Sequence, residues 1–172
     1  MGRYVALLRG INVGKANRIS MEDLRGICAD LGWSDVRTYI ASGNVVFSAN
    51  GSEADLAAVC EAALPFETSV FVRSGAEFQQ ALAECPFPVT AGKLVHGYFC
   101  DVRPTPDQGF IKKFQSTEQL AQRGSMIWLY APDGFARSKL AENMHRVLPN
   151  CKHTARNLNT IQKLSEMLDN AQ

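Results

Sequence analysis

The chain lacks the sequence features by which most enzymes and membrane proteins are recognised. Its longest apolar runs cover five or six residues, whereas a helix that crosses a bilayer needs roughly 20. Met1 is followed by a predicted strand and not by the apolar segment of a signal peptide. Neither the zinc-binding motif H-E-x-x-H nor the nucleophile motif G-x-S-x-G occurs. We therefore expect a cytoplasmic protein with no membrane partner, no metal site and no cofactor.

Histidine and cysteine are scarce and scattered along the 172 residues. There are three histidines and five cysteines, and no two cysteines form a C-x-x-C pair. Cys28, Cys60 and Cys85 each fall on the apolar stripe of a predicted helix, so we expect buried and unreactive thiols there. This pattern argues against a zinc or disulfide framework and favours a reducing compartment.

What the chain does have is an apolar content of 46%, enough for a packed core, and an uneven distribution of charge. Residues 1–20 and residues 143–163 each carry four cations and no acid, which leaves −7 on the rest of a chain whose net charge is +1. If the two segments meet, they form one basic patch on an otherwise acidic protein.

Ser20 and Ser52 are the predicted caps of the first two helices. The order of helix caps, apolar stripes and turns predicts an α+β fold made of two similar halves. Each half has the order β-α-β-β-α-β, which is the ferredoxin-like pattern with an antiparallel sheet. We expect helices on one face of each sheet. The predicted segments are a first ferredoxin-like subdomain over 1–73, a linking helix and Pro-rich linker over 74–92, a second ferredoxin-like subdomain over 93–156, and a C-terminal helix over 157–172.

The most informative segment is the loop of residues 9–18 between the first strand and the first helix. It is about ten residues long, against about four for its counterpart at 101–104, and unusually long loops are often functional. It carries three cations, two glycines and no acid. Backbone N–H groups and basic side chains in such a loop can surround an anion. A purely structural loop, with glycines at positive φ and asparagines capping backbone groups, is the alternative.

The loop is not a nucleotide-hydrolysing P-loop. Three residues separate Gly10 from Gly14, where the P-loop has four, and Ala16 stands where Ser or Thr would bind magnesium.

A second basic segment precedes the last helix and contains Arg156, Asn157 and Asn159. Either asparagine can serve as a helix cap, but a cation at a helix N-terminus opposes the helix dipole unless an anion lies there. We predict that Arg9 and Arg156 clamp an anion and that, as exposed charges, they add little to stability. The predicted ligand-binding residues are Arg9, Gly10, Asn12, Gly14, Lys15, Arg37, Arg156, Asn157 and Asn159.

Two further predictions concern the edges and the face of the first sheet. Arg37 is expected at the same edge as the long loop, and the Ser42-Gly43-Asn44 turn at the far edge with a structural role. RNA-recognition modules share the predicted topology and stack bases on aromatic residues of the sheet. The strand at 44–48 contributes only Phe47 and the first strand only Tyr4. This predicts that bases do not stack on the sheet, while phosphate binding by the basic patch stays open.

Three blocks of the sequence resemble one known family. Leu8-Arg9-Gly10-Ile11-Asn12-Val13-Gly14, Ser42-Gly43-Asn44-Val45-Val46-Phe47 and Thr154-Ala155-Arg156-Asn157-Leu158-Asn159-Thr160 are similar to signature blocks of the bacterial family catalogued as domain of unknown function 1697. Leu158 departs from the family pattern, in which Trp is common. The resemblance implies two ferredoxin-like subdomains and a bacterial cytoplasmic protein, and it implies no established activity, catalytic residue or cofactor.

The sequence thus predicts a binding module for a phosphate-bearing or other anionic ligand, either a small molecule such as a nucleotide or a nucleic acid. An enzyme that acts on a small phosphorylated substrate, with His153 or Lys15 transferring a proton, is one alternative. A structural or partner-binding protein is another.

Overall fold

The computed structural model describes residues 1–170 and has the predicted α+β architecture. The elements of the first half are β1 (Gly2–Leu8), α1 (Met21–Asp30), β2 (Ser34–Thr38), β3 (Asn44–Ala49), α2 (Glu53–Ala63), β4 (Val70–Ser74) and α3 (Gly75–Ala83). Those of the second half are β5 (Val95–Cys100), α4 (Gln108–Phe114), β6 (Gln119–Arg123), β7 (Met126–Tyr130), α5 (Lys139–Glu142), α6 (Met144–Val147), β8 (His153–Asn157) and α7 (Leu158–Asp169).

The strands form two four-stranded antiparallel sheets with the same topology. The strand order is β2-β3-β1-β4 in one sheet and β6-β7-β5-β8 in the other. Each order is that of a ferredoxin-like sheet, with the first and third strands of the half in the centre. The predicted fold class is therefore confirmed.

The chain divides into two compact units. The first unit comprises Met1–Gln80 together with the chain from Lys163, and the second comprises Ala81–Gln162. Both divisions fall inside a helix, α3 and α7. No helix within residues 1–170 has the length and apolarity needed to cross a membrane.

One face of the first sheet packs against α1 and α2. Each helix begins at a serine predicted to cap it, since Ser20 Oγ accepts from the Asp23 N–H and Ser52 Oγ accepts from the Asp55 N–H. Their buried apolar residues join the sheet in one core. The core includes Ala6, Leu8, Leu24, Cys28, Val45, Phe47, Leu56 and Cys60.

The predicted burial of cysteines is right for two of the three. Cys28 and Cys60 are buried, and burial raises the pKa of each thiol to about 12. Cys85 is only half-buried. It follows the end of α3 at Ala83, so it does not continue the apolar stripe of that helix.

The opposite face of the first sheet is covered as well, contrary to the expectation of helices on one face only. Val5, Leu7 and Val46 on this face are fully or almost fully buried. The end of α7 belongs to the same unit, and a Cβ on Gly75 would lie 3.4 Å from Leu168 Cδ2.

Two arginines of the first sheet cap the C-terminus of α7. Arg3 Nη1 donates to the Leu168 carbonyl and Arg37 Nη2 to the Met167 carbonyl, each at 2.5 Å. The last turn of α7 has no basic residue of its own. The two guanidinium groups therefore satisfy carbonyls that a helix end leaves without intrahelical partners, and they complement the negative end of the helix dipole.

The second unit repeats this arrangement. A core of helix and sheet residues covers one face and includes Tyr98, Ile127, Leu140, Met144 and Leu148. On the other face, a Cβ on Gly97 would lie 2.9 Å from Ile161 Cδ1 and 3.0 Å from the Trp128 ring. Glycine at position 97 therefore lets the first turns of α7 pack closely on this sheet.

Candidate functional site

The long loop of residues 9–18 has a tightly specified backbone. Gly10, Asn12, Gly14 and Asn17 all adopt positive φ, between 52° and 66°. Glycine and asparagine are the residues that tolerate this left-handed region best. The distribution of these two residue types therefore encodes the shape of the loop.

Asn12 anchors the loop to two other segments. Its Nδ2 donates to the Ile19 carbonyl at 2.9 Å and to the Ala41 carbonyl at 2.8 Å, and its Oδ1 accepts from the Ile19 N–H at 2.9 Å. Both amide hydrogens are thus used within the protein. Asn12 therefore positions the loop, and its predicted role in orienting a ligand stays a prediction.

The turn between β2 and β3 lies beside the long loop, so its predicted position at the far edge is wrong. Leu8 N–H donates to the Gly43 carbonyl at 2.9 Å, and a Cβ on Gly43 would lie 2.7 Å from Ile11 Cδ1. The cause is the antiparallel pairing of β1 with β3, in which Leu7 faces Asn44. The end of β1 and the start of β3 therefore meet at one edge of the sheet.

The start of β4 reaches the same edge. Arg9 N–H donates to the Ser69 carbonyl at 3.0 Å, and Thr68 Oγ1 donates to the Arg9 carbonyl. We refer to residues 9–18, 39–44 and 67–69 as the loop edge. The backbone of Arg9 is held by Thr68 and Ser69, which immediately precede β4, while its side chain is exposed.

The loop edge presents three exposed cations. Arg18 Nη1 donates to the Gly14 carbonyl at 2.7 Å and so helps to close the loop. Within residues 1–170, the side chains of Arg9 and Lys15 have neither an ion pair nor a hydrogen bond. A Cβ on Gly10 or Gly14 would meet no atom within 4 Å, so the backbone there is open. Two cations and an accessible backbone thus face outward together.

Sequence reasoning missed two apolar residues of the loop edge. The side chain of Val13 is 73% exposed and that of Ile40 is 50% exposed. Ile40 also has φ +51°, although it is β-branched. Left-handed backbone costs an ordinary L-residue about 1–2 kcal/mol, and a β-branched residue there is an outlier. The sequence carries no signal for this strain, because isoleucine is typical of strands.

Arg37 does not belong to the loop edge, which corrects the sequence-based expectation. It lies in β2, the outermost strand of the sheet, and pairs with Val46 of β3. Its guanidinium caps α7, as described above. The expectation placed Arg37 at the start of β2, whereas that strand begins at Ser34, and a backbone carbonyl of α7 engages the Arg37 side chain.

The second basic segment is largely engaged within its own unit. Arg156 is only 7% exposed, so its expected exposure is wrong. Its Nη1 donates to Thr154 Oγ1 at 2.8 Å and to the Ala155 carbonyl at 2.9 Å, and burial lowers the pKa of Arg156 to about 10. Asn157 Oδ1 accepts from the Thr160 N–H at 2.9 Å, as a helix cap does. Asn159 is exposed. The Arg9–Arg156 clamp stays a prediction.

A cavity of about 280 Å³ in the second unit contains a buried carboxylate. Glu118 is 6% exposed; its Oε2 accepts from Ser138 Oγ at 2.6 Å and its Oε1 from the Ser116 N–H at 2.8 Å. Burial raises the pKa of this carboxyl, but the hydrogen bonds outweigh burial and lower it. Because these partners are the protein's own groups, Glu118 serves to fix Ser138, which caps α5.

No metal-binding cluster is evident in the part of the chain that the structure describes. Residues 1–170 contain no group of three or more histidine, cysteine or acidic side chains placed to hold a metal. His153 lies edge-on to the Tyr98 ring at 5.6 Å between centroids, in the second unit.

Comparisons with known proteins agree with this fold. The model of the family described as "Protein of unknown function (DUF1697)" matches residues 1–128. The solved structure of the conserved bacterial protein SP0830 from Streptococcus pneumoniae is similar, with a TM-score of 0.74 and 25% sequence identity. The similarity covers 97% of this chain and 98% of that one. A search of curated proteins found no match.

Proposed function

The chain belongs to the DUF1697 family, and we propose from the geometry of the loop edge that it binds a phosphate-bearing or other anionic ligand there. Arg9 and Lys15 are the ligand-binding cations, Gly10 and Gly14 allow the ligand to approach the backbone, and Asn12 fixes the loop.

One observation carries this proposal. The side chains of Arg9 and Lys15 project from a backbone that other residues hold in place, and neither has a partner within residues 1–170. Hydrogen bonds between cationic groups and phosphate are stronger than those between neutral groups. A loop that is already ordered loses little conformational freedom when a ligand binds.

Binding of inorganic tripolyphosphate, measured by calorimetry at low ionic strength, tests the proposal. The double variant Arg9→Gln with Lys15→Gln should weaken binding at least tenfold. The matched control is Arg103→Gln with Lys112→Gln, which removes two exposed cations from the second unit. Equal losses in both double variants, or no binding by the unaltered protein, would refute an anion site at the loop edge.

A further inference from the structure

We infer that the anionic ligand of the loop edge is single-stranded nucleic acid, and that Val13 and Ile40 contact its bases while Arg9, Lys15 and Arg18 bind its phosphates. This inference rests on the proposed function and adds the class of ligand.

The first argument is that Ile40 combines a strained backbone with an exposed side chain. The turn that holds it is fixed by Asn44, which is fully buried: Asn44 Nδ2 donates to the Tyr39 carbonyl at 2.8 Å and the Tyr39 N–H donates to the Asn44 carbonyl at 3.0 Å. Asparagine or glycine would adopt φ +51° at position 40 more easily. Because half of the isoleucine side chain faces solvent, core packing does not account for it, and strained backbone of this kind clusters at functional sites.

The second argument is the position of the other exposed aliphatic residue. Asn12 bonds to the Ala41 carbonyl, so Val13 and Ile40, their chain neighbours, flank the link between the loop and the turn. The same loop carries the three cations. An apolar pair beside unneutralised positive charge matches a ligand that has both phosphates and flat apolar faces.

The third argument favours a polymer over a mononucleotide. Sites for small molecules are concave and enclose most of the ligand. The loop edge is open instead, because Val13 is exposed and no atom lies within 4 Å of a Cβ on Gly10 or Gly14. A polyanion gains affinity from several phosphates in succession. The bases must meet the loop edge, because residues on both faces of β1 and β3 are buried and leave the sheet closed to stacking. The bases of a single strand can contact the loop edge directly, because no base pairs have to be opened first.

The test uses the full chain and a fluorescently labelled 12-nucleotide oligothymidylate, with anisotropy as the readout. Three phosphate contacts predict a slope of about −2 in a plot of log affinity against log salt concentration, at −0.7 per contact for single strands. Linear polyphosphate of equal charge should compete at least tenfold less effectively than unlabelled oligonucleotide. A duplex of the same length should also compete less effectively.

Variants of the exposed aliphatic residues distinguish contacts with the bases from contacts with the phosphates. Ile40→Asn should weaken oligonucleotide binding about fivefold, leave polyphosphate binding unchanged and raise the melting temperature, because it relieves the backbone strain. Val13→Ser should weaken oligonucleotide binding in the same way without that thermal gain. The control is Val102→Asn, which should change neither affinity. Val102 is an aliphatic residue of the second unit and is 53% exposed.

The outcomes distinguish the two proposals. If polyphosphate competes as well as oligonucleotide and the Ile40 and Val13 variants bind normally, the nucleic-acid inference is overturned while the anion site stands. Equal or tighter binding of the duplex overturns the preference for a single strand. If neither polymer binds, both proposals fail.

Discussion

The side-chain amide of Asn12 donates to the backbone carbonyl of Ala41 across 2.8 Å, and this single bond joins the long basic loop to the β2–β3 turn. The two segments are 29 residues apart in the chain. The same amide group also bonds Ile19 on the far side of the loop. This side chain thus helps to fix the position of the loop that carries the cations.

Replacing Asn12 should affect both stability and ligand binding. Asn12→Ala removes three hydrogen bonds and places alanine at φ +55°, so we expect a loss of about 2–3 kcal/mol in the free energy of unfolding. Tripolyphosphate binding should weaken as well, although the cations remain. Urea unfolding and calorimetry measure the two effects. Asn50→Ala, at an exposed position, is the control and should change neither quantity.

Two glycine substitutions separate crowding from backbone strain. Gly43 has φ +88°, and an added Cβ would lie 2.7 Å from Ile11 Cδ1 and 2.9 Å from Leu8 Cβ. Gly124 has φ +60° with no atom within 4 Å of an added Cβ. We expect Gly124→Ala to cost about 1–2 kcal/mol and Gly43→Ala about 2–5 kcal/mol, since overpacking adds to strain. Similar urea midpoints for the two variants would contradict the contact between the turn and the loop.

Arg156 should contribute substantially to stability, unlike an exposed arginine. Arg156→Met leaves Thr154 Oγ1 and the Ala155 carbonyl without this donor, and we expect a loss of about 2–3 kcal/mol. Arg103→Met, at an exposed position of the same unit, should change stability by less than about 0.5 kcal/mol. Chemical denaturation measures both variants. A small effect at position 156 would contradict a stabilising role for these hydrogen bonds.

His96 should make the protein less stable as the pH falls from 6.5 towards 4. Burial lowers the pKa of His96 to about 4, and its Nδ1 has no hydrogen-bond partner within the described chain. Between these pH values the unfolded chain binds a proton that the folded protein does not, so protonation favours unfolding. The free energy of unfolding falls by at most about 3 kcal/mol, at 1.36 kcal/mol per pKa unit.

The slope of stability against pH, measured by urea unfolding in this window, checks the role of His96. His96→Gln should flatten the slope, whatever its effect at neutral pH. His145→Gln, which alters an exposed histidine, should leave the slope unchanged. Glu118, whose pKa is lowered from 4.5, loses its contribution to stability only as the pH falls below that value, at the acid end of this window, and it does so equally in both histidine variants. A slope that persists in His96→Gln would assign the titration to another group.

The sequence predicted the fold well because local chemistry specifies it. Ser20 and Ser52 cap the first two helices as expected, and a serine cap followed by an apolar stripe is a signal that needs no tertiary context. Each half has the order β-α-β-β-α-β, and each half forms its own four-stranded sheet with the same topology.

The candidate site was predicted less completely, because edges and partners depend on pairing between distant strands. The turn at Gly43 was assigned to the wrong edge although the antiparallel pairing of neighbouring strands in the predicted topology determines its place. Arg37 and Arg156 look like ligand-binding cations in the sequence, because charge alone does not reveal which partners a side chain has in the fold. In the structure, Arg37 bonds a backbone carbonyl of α7, and Arg156 bonds the two residues that precede it. The strain at Ile40 is a property of the folded turn and has no local signature.

The capping of α7 by Arg3 and Arg37 has a consequence for how the chain matures on the ribosome. Arg3 is synthesised 165 residues before Leu168, whose carbonyl it binds. Strands β1 to β4 therefore emerge and can pair long before the helix end that belongs to their unit exists. Until translation passes residue 168, one face of this nascent sheet lacks its permanent helical cover and offers apolar surface to chaperones.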